Sequence, residues 1–71
     1  MTLKDVQDEK EYTVKEVSTE DEEMKAFLFS LGCYSGEPIT VIAKKRRNLV
    51  LSIKDARYDI DMELASAIEV E

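Results

Sequence analysis

The chain has 71 residues, with 10 Lys and Arg against 16 Asp and Glu, a net charge of −6, one cysteine, and neither histidine nor tryptophan. That length allows one domain, near the lower limit for folding without staples. The single cysteine excludes an internal disulfide and fits a reducing, cytoplasmic compartment; the acidic balance argues against general nucleic-acid binding; and the lack of histidine removes the commonest transition-metal ligand and acid–base residue.

Met1 to Lys10 is polar and has no apolar centre of the kind a signal peptide needs. No apolar run approaches the roughly 18 residues required to cross a bilayer. Leu3 and Val6 suggest a short opening turn or bridge, and Asp8-Glu9-Lys10 reads as a turn. Tyr12 to Val17 is rich in strand formers and is assigned as a first strand. Its apolar alternation at Tyr12 and Val14 slips to Val17, which predicts a bulge or strand end near Lys15.

Ser18 and Thr19 offer helix caps, and Thr19 with Glu22 has capping-box spacing. Asp21, Glu22 and Glu23 sit where the positive end of a helix dipole favours carboxylates. A helix is expected from about Glu20 to Leu31, with Met24, Phe27, Leu28 and Leu31 on its apolar face and Phe29 off that face. Gly32 stands where a helix end accepts positive φ, and Gly36 with Pro38 suits a turn before a strand.

Ile39 to Lys44 reads as a second strand, Lys45 to Asn48 as a hairpin tip, and Leu49 to Ile53 as a third strand. Lys54-Asp55-Ala56 is the next turn. Arg57 to Met62 is a fourth strand, with Tyr58, Ile60 and Met62 on one face and Arg57, Asp59 and Asp61 on the other. Glu63 to Ser66 reads as one helical turn, and Ala67 to Val70 as a short fifth strand. About five short strands with one helix after the first predict a mostly β protein, a small closed or partly open barrel. An SH3-like barrel is favoured over an OB-like one, because the helix follows the first strand rather than the third. The expected core holds Val14, Val17, Leu28, Leu31, Ile39, Val41, Leu51, Ile53, Ile60 and Ile68.

The segment Leu28-x-x-Leu31-Gly32-x-x-Ser35-Gly36-x-x-Ile39-x-Val41 resembles the L-x-x-L-G-L-x-P-G-x-x-V-x-V core of the FeoA family of ferrous-iron transport accessory proteins. The opening Thr2-Leu3-x-x-Val6 and the ending Ile60-x-x-x-x-Ala65-x-x-Ile68-x-Val70 are similar to that family as well, so the resemblance covers nearly the whole chain, and residues 1–71 are expected to be one domain. It implies an SH3-like fold, no enzymatic activity and no cofactor. It also implies a membrane ferrous-iron transporter with a cytoplasmic G-protein domain as partner. The chain departs from the pattern at Asp8-Glu9, Ser35 and Asp55, where the family tends to place Pro-Gly, proline and glycine, and at Phe27, where it commonly has a basic residue.

Four features could carry function. Asp59, Asp61 and Glu63, with Asp55 nearby, form an alternating acidic set that could bind hard divalent cations or ferrous iron, or could be a solvated strand face. Cys33, a lone cysteine after a helix end, could be a reactive thiol or a soft ligand, but it stands where the family commonly has an aliphatic residue, so the resemblance implies a small buried hydrophobe. Lys44, Lys45, Arg46 and Arg47 make a basic tip suited to an acidic partner, to phosphates, or to the headgroups near a membrane-embedded partner. Phe29 and Tyr34, at the helix exit, either anchor an interface or pack back on the barrel.

No nucleophile–base pair, phosphate-binding glycine loop or clustered metal motif is present, so no enzyme is expected. The expected function is that of an accessory protein contacting the transporter through Phe29, Tyr34 and the basic tip. A regulatory or peptide-binding domain of the iron-dependent repressor kind is the alternative. It ranks second because no DNA-binding segment accompanies the domain between Met1 and Glu71. A direct iron carrier would rest on the acidic set alone.

Overall fold

The computed structural model describes residues 1–71. Five strands and two helices follow in the order β1 (Lys10–Val17), α1 (Glu22–Leu31), β2 (Pro38–Lys44), β3 (Asn48–Ile53), β4 (Ala56–Asp61), α2 (Met62–Ser66) and β5 (Ile68–Val70). The strands form one antiparallel sheet in the order β4-β3-β2-β1-β5. β1 is the shared strand: Lys10 to Thr13 pair with β2, whereas Val14 to Val17 pair with β5. The register shifts between Val14 and Glu16, so Lys15 is the extra residue and the strand bends there. A second shift between Val41 and Ala43 makes Ile42 the extra residue of β2. These two bends curl the sheet into a partly open barrel whose end strands, β4 and β5, are joined through α2.

The inward positions close on one core. Val14, Val17, Leu28, Ile39, Val41, Leu51, Ile53, Ile60 and Ile68 are buried as expected. Leu31 differs: it is half-buried and packs at the margin with Met24. Phe27 differs more, being 47% exposed. The reason is that α1 rests on the barrel end by a narrow line centred on Leu28, its one buried residue, so a four-residue apolar stripe is wider than the contact. Leu3, Val6, Tyr12, Cys33, Leu49, Ala65, Ala67 and Val70 complete the core, beyond the ten residues expected to fill it. Leu3 and Val6 belong to an opening turn closed by the Asp5 N–H donating to the Thr2 carbonyl. Thr2 bridges Glu69, and the Leu3 N–H donates to the Ile68 carbonyl, so the N-terminal residues lie over β5.

The helix starts two residues later than the capping box implied. Asp21 is the N-cap, its Oδ1 accepting from the N–H groups of Glu23 at 3.0 Å and Met24 at 3.1 Å. Thr19 instead accepts from the Asp21 N–H through Oγ1. A carboxylate satisfies two orphan amides with charge-assisted bonds, which a hydroxyl cannot match.

Candidate functional site

The exit of α1 is built by its two glycines. The Cys33 N–H donates to the Leu28 carbonyl and the Gly32 N–H to the Phe29 carbonyl, the paired bonds of a Schellman motif. Gly32 has φ 104°, and a Cβ there would stand 3.1 Å from Ile53 Cγ2. The helix end therefore lies directly against the end of β3. The Glu37 N–H then donates to the Tyr34 carbonyl, closing a four-residue turn with Gly36 third at φ 90°. Positive φ at that position is the requirement of a type II turn. The turn is fastened to β1 by bonds from the Gly36 N–H to the Val14 carbonyl and from the Val14 N–H to the Glu37 carbonyl.

This exit places Phe29 and Tyr34 side by side. Their rings stack with centroids 5.8 Å apart and planes 21° apart. They pack on each other rather than into the barrel: Phe29 is 37% and Tyr34 51% exposed. The Lys54 Nζ stands 5.7 Å from the Tyr34 ring centroid, over its face. Lys54 reaches it because the β3–β4 turn follows Ile53, the residue against which Gly32 is packed.

The basic cluster divides. Lys45, Arg46 and Arg47 are exposed at the β2–β3 tip, but Lys44 is half-buried. Its Nζ donates to the carbonyls of Lys4 at 2.6 Å and Val6 at 3.1 Å, tying the N-terminal turn to β2. Lys44 is a structural clasp, and the free tip has three charges rather than four. The acidic set divides as well. Asp59 accepts from the Asn48 side-chain amide. Asp61 is the N-cap of α2, accepting from the Leu64 N–H at 2.8 Å, and Glu63 lies in the first turn of that helix. The strand ends at Asp61, so the helical rotation takes Glu63 off the face that Asp59 and Asp61 share. No group of three or more His, Cys, Asp or Glu side chains is arranged to hold a metal ion.

Cys33 is buried, and burial pushes its thiol up to about 11. A protonated thiol is a poor nucleophile and a poor metal ligand. The surface contains no pocket, and no helix is long and apolar enough to cross a membrane.

A small barrel with a glycine-set helix exit is what the sequence resemblance implied. The FeoA domain family model matches residues 1–71. The chain belongs to the FeoA domain family. Members are small SH3-like domains linked to ferrous-iron transport. No curated protein matches this sequence. Among solved structures, the FeoA of Stenotrophomonas maltophilia, crystallised with zinc, superposes with a TM-score of 0.89 at 21% identity, over 100% of this chain and 89% of that one. The FeoA-like protein of Clostridium acetobutylicum gives 0.88 at 18% identity, over 100% and 84%. A manganese-dependent transcriptional repressor bound to manganese gives 0.91 at 24% identity, over 100% of this FeoA domain but 35% of the repressor. The same barrel thus serves as a separate protein and as a minor part of a larger one.

Proposed function

We propose that this FeoA domain is a non-enzymatic cytoplasmic accessory protein. It supports ferrous-iron uptake by binding the cytoplasmic region of a G-protein-containing membrane iron transporter. Family membership supplies the link to iron transport. The observation that carries the binding role is the stacked, exposed Phe29–Tyr34 pair. A surface with no pocket recognises a partner through exposed anchors, and aromatic anchors dominate protein–protein hot spots. With no catalytic groups, the domain acts by binding some states of the transporter better than others. Lys45, Arg46 and Arg47 supply long-range attraction, which raises association rates and is screened by salt.

Titration of the domain against the transporter's cytoplasmic region tests this reading. Phe29→Ala and Tyr34→Ala should weaken binding by about tenfold or more while leaving the fold intact. Lys45→Glu with Arg46→Glu should weaken it mainly at low salt. Absence of binding by the unmutated domain would reject the reading. It would promote the second one, a regulatory domain of the repressor kind, which the fold match to the manganese-dependent repressor favours.

A further inference from the structure

The aromatic pair is bracketed by two lysines. Lys25 precedes Phe29 by four residues on α1, so the two side chains are neighbours on one helix face. Lys54 caps Tyr34 at the other end. The row Lys25–Phe29–Tyr34–Lys54 therefore has an apolar centre and cationic flanks, on a domain whose net charge is −6. Neither lysine is in an ion pair, since the only one in the structure joins the Met1 amino group to Glu69. The acidic residues nearest in sequence are Glu22 and Glu23, three and two residues before Lys25, Glu37, three residues after Tyr34, and Asp55, next to Lys54 in the turn.

We propose that this row docks an acidic segment of a protein partner, with one aromatic or long aliphatic side chain seated on the Phe29–Tyr34 pair and carboxylates on either side of it meeting Lys25 and Lys54. The inference rests on the reading of this face as the docking surface and adds the chemistry of what docks there. An aromatic pair alone would accept any apolar side chain, but two unpaired ammonium groups at its ends select flanking carboxylates and penalise flanking cations. The three-charge tip of Lys45, Arg46 and Arg47 is the competing acidic-segment site. It offers no exposed large apolar side chain, and Asn48 beside it pairs with Asp61 across β3 and β4, which brings carboxylates next to the tip.

Two probe peptides of equal length decide the matter, one with a central Phe flanked by glutamates and one with the same Phe flanked by lysines. Each is titrated into the isotopically labelled domain while backbone amide NMR signals are followed. The glutamate peptide should shift the signals of Phe29, Tyr34 and Lys54 and bind about tenfold more tightly than the lysine peptide at low salt, with the preference shrinking as salt rises. Lys25→Gln with Lys54→Gln should abolish the preference, and Lys25→Glu with Lys54→Glu should reverse it, in variants whose unmutated-like spectra show that they fold. Equal binding of the two peptides, no binding of either, or shifts confined to residues 45–47 would overturn the proposal. The transporter takes no part in this experiment. A peptide preference without transporter binding would reject only the proposed function, and transporter binding without a peptide preference would reject only this inference.

Discussion

Gly32 and Gly36 both have positive φ, yet the structure makes them unequal. Gly32 combines φ 104° with a 3.1 Å approach of its missing Cβ to Ile53, whereas Gly36 has φ 90° and open space around it. Gly36→Ala should cost about 1 kcal/mol, from the left-handed backbone alone. Gly32→Ala should cost more, because the same strain is joined by a clash that moves α1 away from β3. Urea unfolding of the two variants checks the order, and equal losses would show that the Ile53 contact is unimportant. Cys33 makes a prediction with a pH sign. Its thiol is raised from 9.0 to about 11. Well below pH 9 it is protonated in folded and unfolded chains alike, and the stability is whole. As pH rises from there, the unfolded chain ionises first, so stability falls by up to about 1.4 kcal/mol per unit until the buried thiol itself ionises. Cys33→Ala should lack this part of the decline, in unfolding curves compared at pH 7 and 10.5. The family resemblance had implied a buried Cys33, because the family commonly has an aliphatic residue there, and it is buried.

At the scale of elements, the turns carry the strain. Lys54 and Asp55 both have positive φ, at 50° and 68°, between the paired residues Ile53 and Ala56. This is the two-residue hairpin turn that favours Asn-Gly or Asp-Gly, and here neither residue is glycine. Asp55→Gly should stabilise the domain by about 0.5–1 kcal/mol by removing one side chain from the left-handed region. Ser35 occupies the second position of the Gly36 turn, where proline is favoured, and its N–H makes no backbone hydrogen bond. Ser35→Pro should add about 0.4–1 kcal/mol by narrowing the unfolded ensemble. Thermal melts of the two variants and their combination measure both effects, and a fall in melting temperature for either would refute its account. The strand boundaries were legible in the sequence to within about two residues, because alternation survives everywhere except at Lys15 and Ile42. The first slip was visible as a phase change between Val14 and Val17; the second was hidden because Ile42 and Ala43 are both apolar.

The whole molecule depends on its first seven residues more than their polar composition suggests. Leu3 and Val6 are in the core, and Lys44 holds the carbonyls of Lys4 and Val6 from across the barrel. Leu3→Ala should therefore cost about 2–5 kcal/mol, like a central core truncation. Phe29→Ala, on the exposed face, should change stability by less than about 1 kcal/mol. Denaturant unfolding of the two variants separates core from docking surface. A Leu3→Ala variant as stable as Phe29→Ala would mean that the N-terminal turn is not part of the cooperative unit.

The sequence by itself determined the mostly β class, the single helix after the first strand, most of the core, the glycine-controlled helix exit and the family to which the chain belongs. Those follow from local rules: period-2 and period-3.6 patterning, positive φ at glycine, and motif order along the chain. Only the tertiary structure decided which exposed groups stand together. Lys44 left the basic tip because carbonyls 38 and 40 residues away in the chain accept its protons. Glu63 left the acidic set because the chain turns helical at Met62. Lys54 joined Phe29 and Tyr34 because Gly32 lets α1 approach Ile53. Each of these outcomes is a contact between segments distant in sequence, and neither residue type nor spacing encodes which distant group a side chain will meet.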